Sequence, residues 1–266
     1  MVRFDRLTPS SLKILYKKND FGVSSDGGFL FWENEGTFLV HGGKEIIVDP
    51  SPDVDERILR LIILGPALAV VLHQRGLLAL HGASVNVGGR AVVIIGEPGC
   101  GKSALAATLY KRGHVIVTDD VTAIQTDGGN GALVFPGFPQ LKLWPEVISF
   151  FGDDPEKLPR IEPEFDKRAF RTNTNFSEKP IPLQQIYVLD EADEKKIIPL
   201  TPQEALVELI HHTYRAPLLK RIGAKRHFSQ CASIVNKIPI SRLSRPLSLS
   251  SLPDVARMVE EDIAHG

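Results

Sequence analysis

Residues 96 to 103 carry the clearest chemical pattern in this sequence. They read Gly96-Glu97-Pro98-Gly99-Cys100-Gly101-Lys102-Ser103, which fits G-x-x-x-x-G-K-[ST]. Glycines let the backbone bend so that successive N–H groups, here up to Ala104, point at phosphate oxygens, and a following helix N-terminus favours the anion. Lys102 adds a positive charge near the β and γ phosphates, and Ser103 is placed to ligate Mg²⁺. The pattern predicts a site for a nucleoside triphosphate.

Two adjacent carboxylates, Asp119 and Asp120, end the predicted strand that follows the helix after this phosphate loop. Strand ends on that side of an open α/β sheet gather around the ligand. One carboxylate can hold Mg²⁺, and the second can accept the proton of a hydroxyl nucleophile. A solvated pair of acids is the alternative interpretation. The phosphate loop nearby favours the chemical one.

Two further residues have open interpretations. His81 stands in an otherwise apolar predicted strand. It is either a hydrogen-bonded core residue or a partner of the aspartate pair that tunes its acidity. Cys100 lies inside the phosphate loop, where a thiol of lowered pKa would be redox-sensitive, but reactivity needs more than location, so a small residue at a variable position is favoured.

The elements around these residues predict an α/β core. An apolar strand over 90–95 runs into the phosphate loop, a helix follows over 103–112, and a second strand over 114–118 ends at the aspartates. Residues 1–50 form a small β-rich N-terminal region, with a hairpin between 29–32 and 37–40, and residues 51–266 form the catalytic domain.

The remaining segments have weaker patterns. Ser51-Pro52 is expected to cap a helix that runs to Gln74, and Thr201-Pro202-Gln203-Glu204 is a capping box that opens another. The other expected elements are a turn over 127–130 before a strand over 132–135, a loop or lid over 152–182, a hairpin joining 185–189 to 197–200, a helix over 228–236, a strand over 240–243 and a helix from Pro253.

Composition excludes several classes of function. The 266 residues include 31 Lys and Arg and 32 Asp and Glu, so the net charge of −1 argues against a nucleic-acid partner. Two cysteines are too few for a disulfide framework and suit a reducing, cytoplasmic setting. The most apolar stretch, 59–72, is short and interrupted, which predicts a buried helix and no membrane span. A homo-oligomer is compatible with all of this.

Several segments together resemble the HPr kinase/phosphorylase catalytic domain. They are 80–85 with His81, the phosphate loop, 111–114, and 118–121 with the aspartate pair. The chain is more similar still to the HPr kinase-like proteins of lasso-peptide biosynthesis clusters, through stretches like 64–69 and 74–76 before His81 and 137–145 after the aspartates. The resemblance covers roughly residues 25 to 260, about one domain.

The resemblance implies a mixed central sheet of the HPr kinase and phosphoenolpyruvate-carboxykinase type, with ATP and Mg²⁺ as cofactors. It also implies phosphoryl transfer to a serine hydroxyl. In this likeness Asp119 is the base and His81 contacts it. Asp120 and Ser103 hold Mg²⁺, and Lys102 completes the catalytic set.

The chain departs from HPr kinases in two places. The segment 135–139 lacks the acidic residue of their glycine-rich signature, and Ile198-Pro199-Leu200 is not followed by their basic residue. Both departures argue against HPr as the acceptor. A substitute for the missing cation is sought among the basic residues Lys142, Arg160, Lys167, Arg168 and Arg171, and each is equally expected to be an ordinary solvated charge.

The leading hypothesis is an ATP- and Mg²⁺-dependent kinase that phosphorylates a serine hydroxyl of a peptide, with the C-terminal residue of a lasso precursor as the first candidate. One alternative is an HPr-type serine kinase/phosphorylase whose reaction is reversed by inorganic phosphate. The other is a nucleotide-binding switch without transfer chemistry.

Overall fold

A six-stranded N-terminal sheet precedes the phosphate loop in the computed structural model, which describes residues 1–8, 14–18, 21–24, 27–127, 131–172 and 176–265. The sheet order is β1-β6-β5-β4-β3-β2. The predicted hairpin is confirmed, because β4 and β5 pair antiparallel with Phe29 opposite Leu39. The strands are β1 (Val2–Phe4), β2 (Ile14–Lys18), β3 (Phe21–Ser24), β4 (Gly27–Trp32), β5 (Gly36–His41) and β6 (Glu45–Pro50).

A helical segment follows as α1 (Glu56–Ile62), a π-helical turn (Ile63–Ala67) and α2 (Leu68–Gln74). The helix start predicted at Ser51 is wrong, because the Ser51 hydroxyl donates to the Glu33 carbonyl and Asp55 caps the helix instead. Pro66 has no N–H to donate, and the chain accommodates it with the wider π turn. Among the described residues, no helix is long and apolar enough to span a membrane.

The second sheet is mixed, as predicted. Its order is β11-β10-β7-β8-β14-β16-β15, with β9 on β7. β8, β14 and β16 run parallel, and the other pairings are antiparallel. The strands are β7 (Leu78–Val87), β8 (Arg90–Gly96), β9 (Val115–Thr118), β10 (Val121–Gln125), β11 (Leu133–Phe135), β14 (Ile181–Glu191), β15 (Lys196–Pro199) and β16 (Ile240–Arg245).

Helices cover both faces of this sheet, which explains why β8 is a continuous apolar run. Leu105 of α3 packs with Ile94 on one face, and Leu209 of α5 packs with Ile95 on the other. The capping box at Thr201 is confirmed. The helices are α3 (Lys102–Lys111), α4 (Pro145–Phe150), α5 (Pro202–His211), α6 (Ala216–Ile222), α7 (Ala224–Val235) and α8 (Leu252–His265).

The hairpin predicted between 185–189 and 197–200 is wrong. β16 lies between β14 and β15, pairing parallel with the first and antiparallel with the second. β14 is apolar enough to be buried between two parallel neighbours. β15 is largely exposed and ends in Pro199, which suits an edge.

The segment predicted as a loop or lid over 152–182 contains a strand. β13 (Arg168–Arg171) pairs antiparallel with β12 (Gln140–Leu143) and forms a small separate sheet. Residues 173–175 of that segment, and residues 128–130 of the predicted turn, lie outside the described residues. The β12–β13 pair matters for the site because β12 leads directly into α4 beside the phosphate loop.

Candidate active site

The phosphate loop joins β8 to α3 as its sequence pattern requires. Gly99 and Gly101 have φ of 88° and 97°, values that residues with a Cβ rarely adopt. The Lys102 side chain is buried, and its Nζ donates to the carbonyl oxygens of Gly96 at 2.8 Å and Glu97 at 2.9 Å. Burial lowers the pKa of Lys102. The ammonium group is therefore folded onto its own loop, within reach of a phosphate that would replace those carbonyls.

Asp119 is bonded to the phosphate loop. The Ser103 hydroxyl donates to its Oδ1 at 2.8 Å, and the backbone N–H of Lys142 in β12 donates to its Oδ2 at 2.9 Å. Burial of the carboxyl group raises the pKa of Asp119 despite these donors. Both oxygens of Asp119 are thus occupied, one of them by the serine expected to hold Mg²⁺.

Asp120 faces a different set of partners. Its backbone has a φ of 72°, a left-handed conformation that turns the chain at the strand end. Its Oδ1 lies 3.3 Å from Nδ1 of His81, and its Oδ2 accepts from Nζ of Lys142 at 2.7 Å. Burial opposes ionisation, but the charge and hydrogen bond of Lys142, together with the charge of Lys167, outweigh it and lower the pKa of Asp120.

His81 was expected to contact Asp119, and its contact in the structure is with Asp120 instead. The β7 backbone fixes its position, because the N–H of His81 donates to the His212 carbonyl at 2.8 Å. The rings of His81 and Tyr214 pack edge to face, with 5.2 Å between their centroids. Burial lowers the pKa of His81, so its imidazole is neutral at pH 7.

A cavity of about 310 Å³ unites these residues. The predicted site residues that line it are His81, Gly99, Gly101, Lys102, Ser103, Ala104, Asp119, Asp120, Lys142 and Lys167. Gly96 and Cys100 do not line it. The Gly96 carbonyl accepts from Lys102, and the Cys100 carbonyl accepts from Arg245. Burial raises the pKa of the Cys100 thiol, which gives no support to a redox role.

Of the five basic candidates, Lys142 and Lys167 reach the cavity and three do not. The buried Arg168 guanidinium pairs with Glu156 at 2.8 Å and Asp166 at 3.0 Å, so it holds the β12–β13 region together. Arg160 shares the Asp166 carboxylate, and Arg171 is exposed.

Arg245 is a cavity residue that the sequence analysis missed. It ends β16 and is 2% exposed, and its guanidinium donates to the carbonyls of Cys100, Pro246 and Ser248 and to the Ser251 hydroxyl. Its Nε is buried without a partner, and no carboxylate of the described residues lies within ion-pair distance. A Cβ on Gly101 would collide with it. The rule that strand ends gather at one edge could have found it, because β16 runs parallel to β14 and β8.

The donors in the cavity fit Mg²⁺. Ser103 Oγ lies 2.8 Å from Asp119 Oδ1, and Asp120 brings a second carboxylate to the same cavity. Mg²⁺ prefers hard oxygen donors and usually takes one or two carboxylates together with phosphate oxygens and water. The residues present therefore supply the donor set that this ion requires.

Known proteins are similar to the part of the chain that carries the phosphate loop and the aspartate pair. Residues 76–134 match the family model of the HPr Serine kinase C-terminal domain. An HPr kinase/phosphorylase from Geobacillus sp. is 29% identical over 154 residues, which cover 54% of this chain and 49% of that protein. A putative HPr kinase/phosphorylase 2 from Oceanobacillus iheyensis is 40% identical over 82 residues, covering 31% of this chain and 23% of that protein.

The chain thus spans about half the length, or less, of these relatives. The solved Hpr(Ser) kinase/phosphatase from Coxiella burnetii matches with a TM-score of 0.39 and 14% identity, and the match covers 70% of this chain and 97% of that one. The matched residues include β7 with His81, the phosphate loop and the aspartate pair. Over these residues, the chain is similar to the C-terminal domain of HPr serine kinases.

Proposed function

We propose that this protein is an ATP- and Mg²⁺-dependent kinase that transfers the γ-phosphate to a hydroxyl group. The observation that carries the proposal is that two pairs of residues with different chemistry line the same cavity. Lys102 and Ser103 are suited to a triphosphate, and the pair of Asp120 and His81 is suited to a hydroxyl proton. A module that only bound nucleotide would have no use for the second pair.

We infer a division of labour between the aspartates that reverses the one implied by family resemblance. The bond from Ser103 supports Asp119 as the carboxylate on the Mg²⁺ side. The contact with His81 supports Asp120 as the base, and the lowered pKa of Asp120 keeps it ionised at neutral pH. Mg²⁺, when bound, would neutralise charge on the phosphate oxygens.

The proposed step needs only residues that face the cavity. Asp120 takes the proton of the acceptor hydroxyl, whose oxygen forms the new bond to the γ-phosphorus while the bond to the β-phosphate oxygen breaks. Lys102 leaves its carbonyl partners for the phosphates, and Lys142 and Lys167 add positive charge at the transferred group. The products are ADP and a phosphate ester.

The acceptor class is a serine hydroxyl on a peptide, and the C-terminal residue of a lasso precursor is the first candidate. A serine acceptor is supported by the family model that matches residues 76–134, which describes the C-terminal domain of HPr serine kinases. A peptide other than HPr is supported by the missing acid over 135–139 and the missing cation after Leu200. A cytoplasmic location belongs to the same proposal and is supported by two free cysteines. Homo-oligomerisation remains a prediction for sedimentation analysis.

Transfer of labelled phosphate from γ-labelled ATP to serine-containing peptides, with Mg²⁺, tests the proposal. The wild-type protein should label a peptide, and Lys102→Ala should lose both labelling and tight ATP binding. Lys111→Ala is the matched control, because Lys111 lies in the last turn of the same helix and pairs with Asp153 outside the cavity. Tight ATP binding by Lys102→Ala would contradict the assignment of the site.

Two results separate the alternatives. If the protein binds ATP but does not transfer its γ-phosphate to peptides, to HPr or to water, it is a nucleotide-dependent switch. Release of pyrophosphate when inorganic phosphate is added to the phosphorylated product would indicate a phosphorylase of the HPr type.

A further inference from the structure

The cavity has an end that the transfer chemistry does not use. His81, Asp119 and Asp120 line one end, and Arg245, Leu247 and Leu249 line another, with the phosphate loop between them. The second group comes from the end of β16 and the segment that follows it, 246–251. A cavity of about 310 Å³ is at the lower limit of those that hold small ligands.

The order of the strands gives the triphosphate a direction. The phosphate loop follows β8, which has β7 on one side and β14 with β16 on the other. The aspartate pair follows β9, which pairs with β7. If the γ-phosphate faces Asp120, the α-phosphate and the nucleoside extend across the loop towards the end of β16.

The segment 246–251 is held in a fixed position relative to the phosphate loop. The Arg245 guanidinium donates to the Cys100 carbonyl at 3.1 Å and to the Pro246 carbonyl at 2.8 Å. The Ser251 hydroxyl donates to the Ser248 carbonyl at 2.8 Å and closes the segment. Such preorganisation lowers the entropic cost of binding a ligand that touches both the loop and the segment.

The side chains that this segment presents are apolar. Leu247 is 44% exposed at the cavity edge, and Leu249 packs partly against the main core. An exposed leucine next to a phosphate site is expected to gain from a flat apolar ligand group that covers it. The face of the nucleotide base offers such a flat surface, and the base is joined to the phosphates that the loop would hold.

Trp144 also lines the cavity. It follows Lys142, whose ammonium bonds Asp120, and the Lys167 ammonium lies 5.2 Å from its ring centroid. Trp144 therefore belongs with the aspartate end and the β12–β13 pair.

We propose that the purine base of the bound triphosphate packs on Leu247 and Leu249, and that Arg245 positions this segment against the phosphate loop. The proposal rests on the nucleotide binding proposed above and adds where the nucleoside lies. It assigns recognition of the base to apolar contact on the β16 side of the phosphate loop.

Two ligands that differ only in the nucleoside provide the test. ATP and inorganic tripolyphosphate, each with Mg²⁺, are titrated calorimetrically against the wild type and Leu247→Ser, a neutral change that adds no charge beside the phosphates. We expect the dissociation constant for ATP to rise about tenfold, from losing part of one leucine's burial, while that for tripolyphosphate stays within about twofold. Val207→Ser, exposed on α5 outside the cavity, is the matched control and should change neither.

The other outcomes overturn the inference. If the wild type binds both ligands and Leu247→Ser binds ATP with unchanged affinity, the base does not contact this segment. The proposed function would then still stand. Selective loss of ATP affinity in Trp144→Ala but not in Leu247→Ser would put the base against Trp144 instead. A wild type that binds neither ligand overturns the proposed function, and this inference with it.

Discussion

The charged side chains on the two sides of the phosphate loop have different kinds of partner. On the side of β7 and β9, Asp119 and Asp120 are each paired with donors, namely Ser103, Lys142 and His81. On the side of β16, the buried Arg245 guanidinium bonds only neutral oxygens of the described residues. A buried cation that makes no ion pair is costly unless an anion binds beside it. The comparison suggests that the aspartate side carries the reaction and the Arg245 side holds the ligand.

Within the aspartate side, the partners of the two carboxylates differ as much as the two sides do. Asp119 is joined to the phosphate loop through Ser103, and Asp120 is joined to β7 through His81. Both residues follow the end of β9, and the left-handed backbone of Asp120 turns the chain between them, so their side chains reach different partners. Identical side chains can therefore take different roles here.

The largest expected effect is that of Asp120→Asn. The change keeps the shape of the side chain but removes the proton acceptor, so the transfer rate should fall about 10³-fold. Affinity for ATP with Mg²⁺ should stay within about threefold, because Lys102 and Ser103 are untouched. Single-turnover phosphoryl transfer and calorimetry measure the two quantities separately.

Asp119→Asn is the paired variant that sharpens this comparison. Its Mg²⁺-dependent affinity for ATP should fall about 10- to 100-fold, since the partner of Ser103 loses its charge. The opposite result would be a lower transfer rate alone in Asp119→Asn and a lower Mg²⁺-dependent affinity for ATP alone in Asp120→Asn. Asp119 would then be the base, and Asp120 would be the carboxylate on the Mg²⁺ side.

A smaller effect is expected on the other side from Arg245→Met, which keeps much of the side-chain volume without the charge. Affinity for ATP should fall about tenfold, because a positive charge next to the phosphate loop is lost. The free energy of unfolding should change by less than about 1 kcal/mol, since the saved desolvation offsets the lost hydrogen bonds. Chemical denaturation provides the second measurement.

A purely structural Arg245 would give the opposite pattern. The variant would then unfold at much lower denaturant concentration, and whatever protein remained folded would bind ATP normally. Arg257→Met, on an exposed face of α8, is the control for removing an arginine charge far from the cavity.

The smallest expected effect is in the pH profile. Burial lowers the pKa of His81 below its ordinary 6.5, and the Lys142 charge helps to keep the pKa of Asp120 below 3.8. Both groups then stay in one protonation state above pH 6.5, and the transfer rate should be level from there to pH 8. The rate should fall only below pH 6.5, as His81 becomes charged. A step centred at or above pH 6.5 that disappears in His81→Asn would contradict this.

Much of the site follows from local sequence. The apolar run of β8, the glycines of the phosphate loop and the helix after them form one continuous sequence pattern. It could be recognised because its residues are neighbours along the chain. The capping box at Thr201 is equally local. The fold class follows in the same way from alternating strands and helices.

Contacts between distant segments were predicted less well. The order β14-β16-β15 was mistaken for a hairpin, because the turn between two neighbouring strands says nothing about a strand that enters between them from 40 residues later. The contact of Arg245 with Cys100 joins residues 145 positions apart. Periodicity and capping carry no information over such separations.

The sequence by itself determined that a strand, a phosphate loop and a helix would meet beside an aspartate pair, since short-range geometry leaves few alternatives. Only the tertiary structure decided which aspartate faces His81, which lysine reaches both aspartates, and that a buried arginine from β16 supports the loop. The reason is physical. Side-chain partners in a sheet are set by the order and register of its strands, and those depend on how the whole core packs.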